Sequence, residues 1–327
     1  MNFSHIIGNT KYKEHFLNII EEGVIPHAML FSGPEGLGKR MFAAALAAAL
    51  NCESLTRQGA CGVCSSCRRL SVGTHPHVKF VGSPKDEKIM EVEFSSQDRI
   101  LINNIISTGE DNVKKVTKRI NIFQIREIIR ETSLKAYGSQ KKIFILDDIA
   151  SSSIEALNCL LKILEEPPGD TYFILITSNE KVLLPTIISR CQKFDFSPLL
   201  DKEMEEFYNK TADHPLDEER LAGIIKLSSG IPMKMIKYME IEDVCFPVTS
   251  IEDFFEKARN WFSSTQECVD KLKMMIEHEA AKFRESPDDQ AYERLMIMET
   301  VLNRIRDNAN PELAFTNMLM KIGNVRF

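Results

Sequence analysis

Apolar residues recur along this chain in two rhythms, and the change from one to the other divides it. Up to Pro198, short apolar runs alternate with stretches of helical spacing. Ala28 to Phe31, Val78 to Val81, Ile143 to Asp148, Tyr172 to Thr177 and Phe194 to Phe196 read as strands. Thr10 to Glu22, Met41 to Leu50, Ile120 to Ser133 and Ser152 to Glu165 read as helices; Pro26 breaks the chain after the first and Pro167-Pro168 stops the last. A shorter helix and turn carry Ile187 to Cys191. Strands alternating with helices predict an α/β domain with a parallel sheet and right-handed crossovers over residues 1–197.

From Pro198 onward the strand signals vanish. Helical patterns occupy Asp201 to Lys210, Asp217 to Leu227 and Met233 to Met239, with Gly230 and Pro232 as punctuation. Beyond Phe246-Pro247 come Ile251 to Phe262, Ser264 to Glu285, Asp288 to Asp307 and Pro311 to Ile322. The expected division is therefore an α/β domain, a small helical domain over 198–242 and an all-helical domain over 243–327. Residues 85–118 are polar and weakly periodic, which predicts a surface insertion without chemistry of its own.

Composition narrows the class. A chain of 327 residues has room for two or three domains, and 43% hydrophobic with 27% charged residues is ordinary for a globular protein. Its 41 basic against 47 acidic residues give a net charge of −6, so no global positive field draws it to nucleic acid. Any DNA contact must be local or shared with partners. No apolar run approaches the roughly 18 residues of a spanning helix, and the opening Met1-Asn-Phe-Ser-His-Ile-Ile7 lacks a signal-peptide pattern. A cytoplasmic protein without membrane contact is the expectation.

The chemistry centres on Gly33-Pro-Glu-Gly-Leu-Gly-Lys39, a G-x-x-x-x-G-K loop between a predicted strand and an alanine-rich helix. Such a loop cradles phosphates with backbone N–H groups and a helix N-terminus; Gly33, Gly36 and Gly38 permit the backbone path and Lys39 reaches the outer phosphates. The following residue is ordinarily Ser or Thr, whose hydroxyl binds Mg²⁺, and here it is Arg40, which has no acceptor. Asp147-Asp148 closes an apolar strand about a hundred residues later. There the first acid orients Mg²⁺ and the second position normally holds a Glu that activates water, so Asp148 is one methylene short. Two departures at separate catalytic positions favour a retired ATPase site; the alternative is that both acids are ordinary solvated strand-end residues. Asn179 ends the next strand, where it could orient a water beside the γ-phosphate or simply make a turn. Arg190, in Ser189-Arg-Cys191, could enter a neighbouring subunit's nucleotide site as a finger, or be a surface arginine.

Four of the eight cysteines, Cys52, Cys61, Cys64 and Cys67, fall within sixteen residues with two tight C-x₂-C steps. Four thiolates suit tetrahedral zinc and leave no open ligand, which predicts a structural site. An iron–sulfur cluster is the rival metal reading. His75 and His77 lie nearby and are expected to be turn residues.

Together these motifs resemble the clamp-loader subunits of bacterial DNA polymerase III, within the AAA+ superfamily. The matching residues are Ile6-Ile-Gly8, His27 to Lys39, the cysteine knuckle, Asn158-Cys-Leu-Leu-Lys-Ile-Leu-Glu-Glu-Pro-Pro168, Phe173 to Asn179, Leu184 to Gln192 and Asn308 to Pro311. The resemblance implies Walker A at Lys39, Walker B at Asp147 and Asp148, sensor 1 at Asn179 and a trans-acting finger at Arg190. Sensor 2 would fall near Gly230 to Lys234, where Lys234 is the basic residue. Motor subunits keep Ser or Thr after the loop lysine and Glu at the second acid, so both departures point to the delta-prime branch. The small helical domain would be a lid, and the C-terminal helices a collar joining gamma/tau and delta subunits with this chain in a hetero-pentameric ring. That ring would use ATP to place the sliding clamp on primed DNA, with structural zinc in this chain and ATP binding by its own loop left open. A working ATPase and a zinc-dependent nucleic-acid binder are the competing readings.

Overall fold

The structure is a computed structural model that describes residues 2–82, 120–133, 140–212, 216, 218–240, parts of 269–287, and 289–322 except 308. The 85–118 stretch and the 251–262 helix expected from the sequence lie outside the described residues. Two compact units are present: Met1–Leu216 with Ser229–Met233, and Asp217–Ser228 with Lys234–Phe327.

The first unit is built on a five-stranded parallel sheet. Its strands are β1 (Ala28–Ser32), β2 (Val78–Val81), β3 (Lys142–Leu146), β4 (Thr171–Thr177) and β5 (Gln192–Asp195), in the order β2-β3-β4-β1-β5. All five residues of β1 and of β3 are buried, as expected for strands covered on both faces. Alternation along β1 sends Met29 and Phe31 into one core and Ala28 and Leu30 into the other. The first core also holds α1 (Thr10–Glu22) through Phe16 and α2 (Lys39–Leu50) through Phe42 and its alanines. The second takes α4 (Ile122–Ser133) through Ile125 and Ile128, and α5 (Ile154–Glu165) through Leu157 and Leu160. A short α3 (Ser65–Ser71) lies between α2 and β2 in sequence, α6 (Pro185–Ile188) precedes β5, and α7 (Asp201–Thr211) follows it.

Helix α2 is buried at every position from Phe42 to Leu50. Its alanines combine the best helix propensity with the smallest side chain, so the helix lies flush against the sheet. It begins at Lys39, two residues before the start read from the apolar pattern, because Gly38 takes a left-handed conformation (φ 77°) as its N-cap. Ser153 caps α5, its Oγ accepting from the Ala156 N–H at 3.2 Å. The helix stops where Pro167-Pro168 would remove backbone donors. In the second unit Leu272, Met275, Met298, Val301, Leu302, Ile305 and Met318 form a separate core along the helices Asp289–Arg306 and Pro311–Ile322. Among the described residues no helix is long and apolar enough to cross a membrane.

Candidate functional site

Parallel pairing brings the sequence motifs to one edge of the sheet. β1 and β4 are in register from Ala28↔Phe173 to Ser32↔Thr177, and β3 runs beside β4. The glycine loop after β1, Asn179 after β4 and Asp147 after β3 therefore share the carboxyl ends of neighbouring strands, where open α/β sheets bind ligands.

Two of the loop glycines are fixed by close approach. A Cβ at Gly33 (φ 145°) would stand 2.4 Å from the Phe196 carbonyl oxygen, and one at Gly36 (φ 85°) 2.7 Å from the Met233 Cβ. The Met233 N–H also donates to the Gly36 carbonyl at 3.3 Å, which ties the loop to the segment Ser229–Met233 of the same unit. The Lys39 ammonium turns into the loop and donates to the carbonyls of Gly33 (2.5 Å) and Pro34 (2.6 Å). It is only 6% exposed. Burial pulls its pKa down to about 8 against the opposing pull of Asp147. The unfolded chain, with an ordinary lysine, therefore binds more protons than the folded one between about pH 8 and 10.5, so stability rises with pH across that window. Urea unfolding from about pH 7.5 to 9.5 is expected to show wild type gaining stability relative to Lys39→Met; parallel curves would rule out a buried, strained ammonium.

Arg40 does more than withhold a hydroxyl. Its Nε forms an ion pair with Asp147 Oδ2, and the two side chains are 31% and 12% exposed. A guanidinium thus holds the carboxylate that the sequence reading expected to orient Mg²⁺. Asp148, just beyond β3, adopts a left-handed conformation (φ 48°) as the chain turns into a short 3₁₀ helix, Ile149–Ser151. Asn179 is exposed, and its Oδ1 accepts the Lys181 N–H at 3.2 Å to cap the turn Glu180–Val182. The sequence reading overlooked Glu180. Its carboxylate accepts the Ser32 hydroxyl (3.3 Å) and pairs with Lys193 (2.5 Å), placing a further acid at the root of the loop.

Arg190 stands apart from this cradle, after α6. Its Nη1 donates to the Thr186 carbonyl at 2.8 Å and its Nη2 to Glu165 Oε1 at 2.6 Å. Lys234, the basic residue expected near sensor 2, belongs to the other compact unit and pairs with Glu277 at 3.0 Å.

The four clustered cysteines meet in space. Their sulfurs all lie within 4.8 Å of one another, with Cys52–Cys67 at 3.8 Å and Cys61–Cys67 at 4.0 Å. Four thiolates at about 2.3 Å from one tetrahedral ion stand about 3.8 Å apart, so the geometry and the donor set both fit such an ion. Backbone N–H groups of Val63 and Cys64 pull the Cys61 thiol well below its usual range, as a knuckle requires. His75 is 1% exposed and spends both ring nitrogens elsewhere, on the Ser66 hydroxyl (3.0 Å) and the His77 N–H (3.2 Å). The knuckle is fastened to the domain by the Phe3 N–H, which donates to the Gln58 carbonyl at 2.9 Å, and by the Phe3 ring against Phe42 at 5.2 Å.

A family model described as DNA polymerase III, delta subunit, matches residues 8–200. The DNA polymerase III subunit delta' of Pseudomonas aeruginosa is 33% identical over 208 residues, 63% of this chain and 54% of that protein. The delta' subunit of Bacillus subtilis is 32% identical over 191 residues, 58% of this chain and 47% of that one. The matches thus span about half the length of these relatives. The tau subunit of Bacillus subtilis is 30% identical over 211 residues, 64% of this chain and 32% of that protein. Among solved structures, a DNA polymerase III gamma subunit-related protein from Thermotoga maritima aligns with a TM-score of 0.54 at 14% identity, over 95% of this chain and 98% of that one. That likeness concerns the fold alone.

Proposed function

The chain belongs to the DNA polymerase III delta subunit family, and from that premise we propose that it is a delta-prime-like clamp-loader subunit that no longer hydrolyses ATP and presents Arg190 to a neighbour's nucleotide site. The observation that carries this is the Arg40–Asp147 ion pair. Metal-assisted phosphoryl transfer needs a hydroxyl on one side of Mg²⁺ and a free carboxylate on the other. Here the hydroxyl is gone and the carboxylate already holds a fixed positive charge. Recruiting a metal ion would mean pulling apart a largely buried pair and leaving a guanidinium beside the incoming cation, which is strongly unfavourable. The Lys39 ammonium satisfied by loop carbonyls and the shorter Asp148 fit the same retired site. Asn179 would then survive as a sensor 1 position with a capping role.

The four cysteines would hold one structural zinc ion, which closes the knuckle and supplies no chemistry. Residues 1–197 form the AAA+ domain, 198–242 the lid and 243–327 the collar. Gamma/tau and delta subunits are the partners in a hetero-pentameric ring that spends ATP to open the sliding clamp and place it on primed DNA. ATP hydrolysis by the purified full chain tests the retired site. No turnover above background is expected; turnover that disappears in Lys39→Ala would instead make it a working, gamma/tau-like ATPase.

A further inference from the structure

The sequence alone gives the finger arginine no partner, and the structure supplies one: we infer that Glu165 is a positioning residue that holds the Arg190 guanidinium ready for the neighbouring subunit's phosphates. The inference rests on the finger role proposed above. Glu165 is the last residue of α5, and its Oε1 accepts from Arg190 Nη2 at 2.6 Å. The Thr186 carbonyl takes Nη1 at 2.8 Å. A guanidinium has five N–H groups, and these two contacts leave three for an incoming phosphoryl group. The side chain is 33% exposed, so it is oriented without being covered.

The support beneath Glu165 is firm on both sides. The α5 terminus is pinned where the His27 Nε2–H donates to the Leu164 carbonyl at 3.3 Å, just before β1. Pro167-Pro168 then stiffens the exit from the helix. The carbonyl end of α5 carries partial negative charge, which favours a cation beside it. A free arginine side chain must surrender its rotamer freedom when it inserts into a partner, and a side chain already held in place surrenders less. Glu165 is itself 51% exposed, so water screens its carboxylate and its repulsion toward a phosphate is small. The pair therefore orients Arg190 more than it competes for it.

The test uses the reassembled loader, with steady-state ATP hydrolysis measured for wild type, Glu165→Ala, Glu165→Gln, Arg190→Ala and the Glu165→Ala/Arg190→Ala double variant. The Arg190-dependent turnover is the wild-type rate minus the Arg190→Ala rate. Glu165→Ala is expected to lower the kcat of that component about two- to fivefold, the scale of an exposed ion pair, with KM for ATP unchanged. Glu165→Gln, whose amide oxygen can still accept from Nη2, should recover most of the loss. In the Arg190→Ala background, Glu165→Ala should change nothing. Wild-type turnover in Glu165→Ala, an increase, or an equal fall with and without Arg190 would each overturn the positioning role while leaving the finger intact. Full turnover in Arg190→Ala would sink the finger reading itself, and this role with it.

Discussion

Replacing Arg190 with Ala is expected, on the finger role proposed above, to silence a neighbouring subunit's nucleotide site in the assembled loader, while the purified chain stays folded. The side chain is one-third exposed, and its contacts, to Glu165 and the Thr186 carbonyl, lie at the surface. Its removal therefore costs stability well under about 1 kcal/mol. A finger arginine neutralises charge that develops on the transferring phosphoryl group, and loss of one lowers turnover at its site by roughly 10³-fold or more. ATP-dependent clamp loading should fall with it, because a ring that must act together is limited by its slowest site. Arg190→Lys should restore little, since an ammonium keeps the charge and loses the planar fork of donors. The decisive measurements are ATP hydrolysis and clamp placement on primed DNA by loaders reconstituted with each variant. Full activity with Ala at 190 would refute the role.

Loss of the proposed zinc ion should have the largest effect on stability. Cys64 is both a candidate ligand and the N-cap of α3, its sulfur accepting the Cys67 N–H at 3.4 Å. Burial pushes the Cys67 thiol up, so a bound cation is what would hold it as thiolate. Without such an ion, the loop that receives Phe3 would lose its closure, and the Phe3–Phe42 contact at the edge of the aromatic core would loosen. Structural zinc sites contribute their binding energy directly to folding. Cys64→Ser is expected to lower the melting temperature by about 10 °C, and a strong chelator should do the same to wild type, consistent with a loss of a few kcal/mol in a domain of this size. Metal analysis of the wild-type chain should find about one zinc per polypeptide, matching a single four-thiolate site. A metal-free wild type with an unchanged melting curve for Cys64→Ser would discard the zinc assignment.

How much of this was legible beforehand varies with the range of the interaction. The glycine loop and the short buried runs announce themselves locally, because a phosphate cradle needs glycines at fixed steps and a doubly covered strand needs an unbroken apolar run. The cysteine cluster is equally local, with all four thiols inside a single loop and short helix. Helix ends were read less well. α2 starts two residues early because Gly38 supplies a left-handed cap that apolar periodicity does not record. The last strand runs Gln192–Asp195 rather than Phe194 to Phe196, since pairing with β1 sets its limits and not its own aromatic spacing.

Side-chain partners were the hardest to foresee. Arg40 in the sequence is an absent hydroxyl; only folding, which sets the start of α2 over the end of β3, makes it the counter-ion of Asp147. Glu180 lies in no motif, and the matching segment that contains Glu165 assigns it no partner; folding brings Glu180 to Ser32 and Lys193, and Glu165 to Arg190. The sequence by itself determined the α/β class, the loop, the four thiols and the departures at Arg40 and Asp148, since each follows from residues close together along the chain. The tertiary structure decided which charges meet, because ion pairs between distant segments depend on where parallel strands end and helices begin, and a one-dimensional pattern holds no record of that.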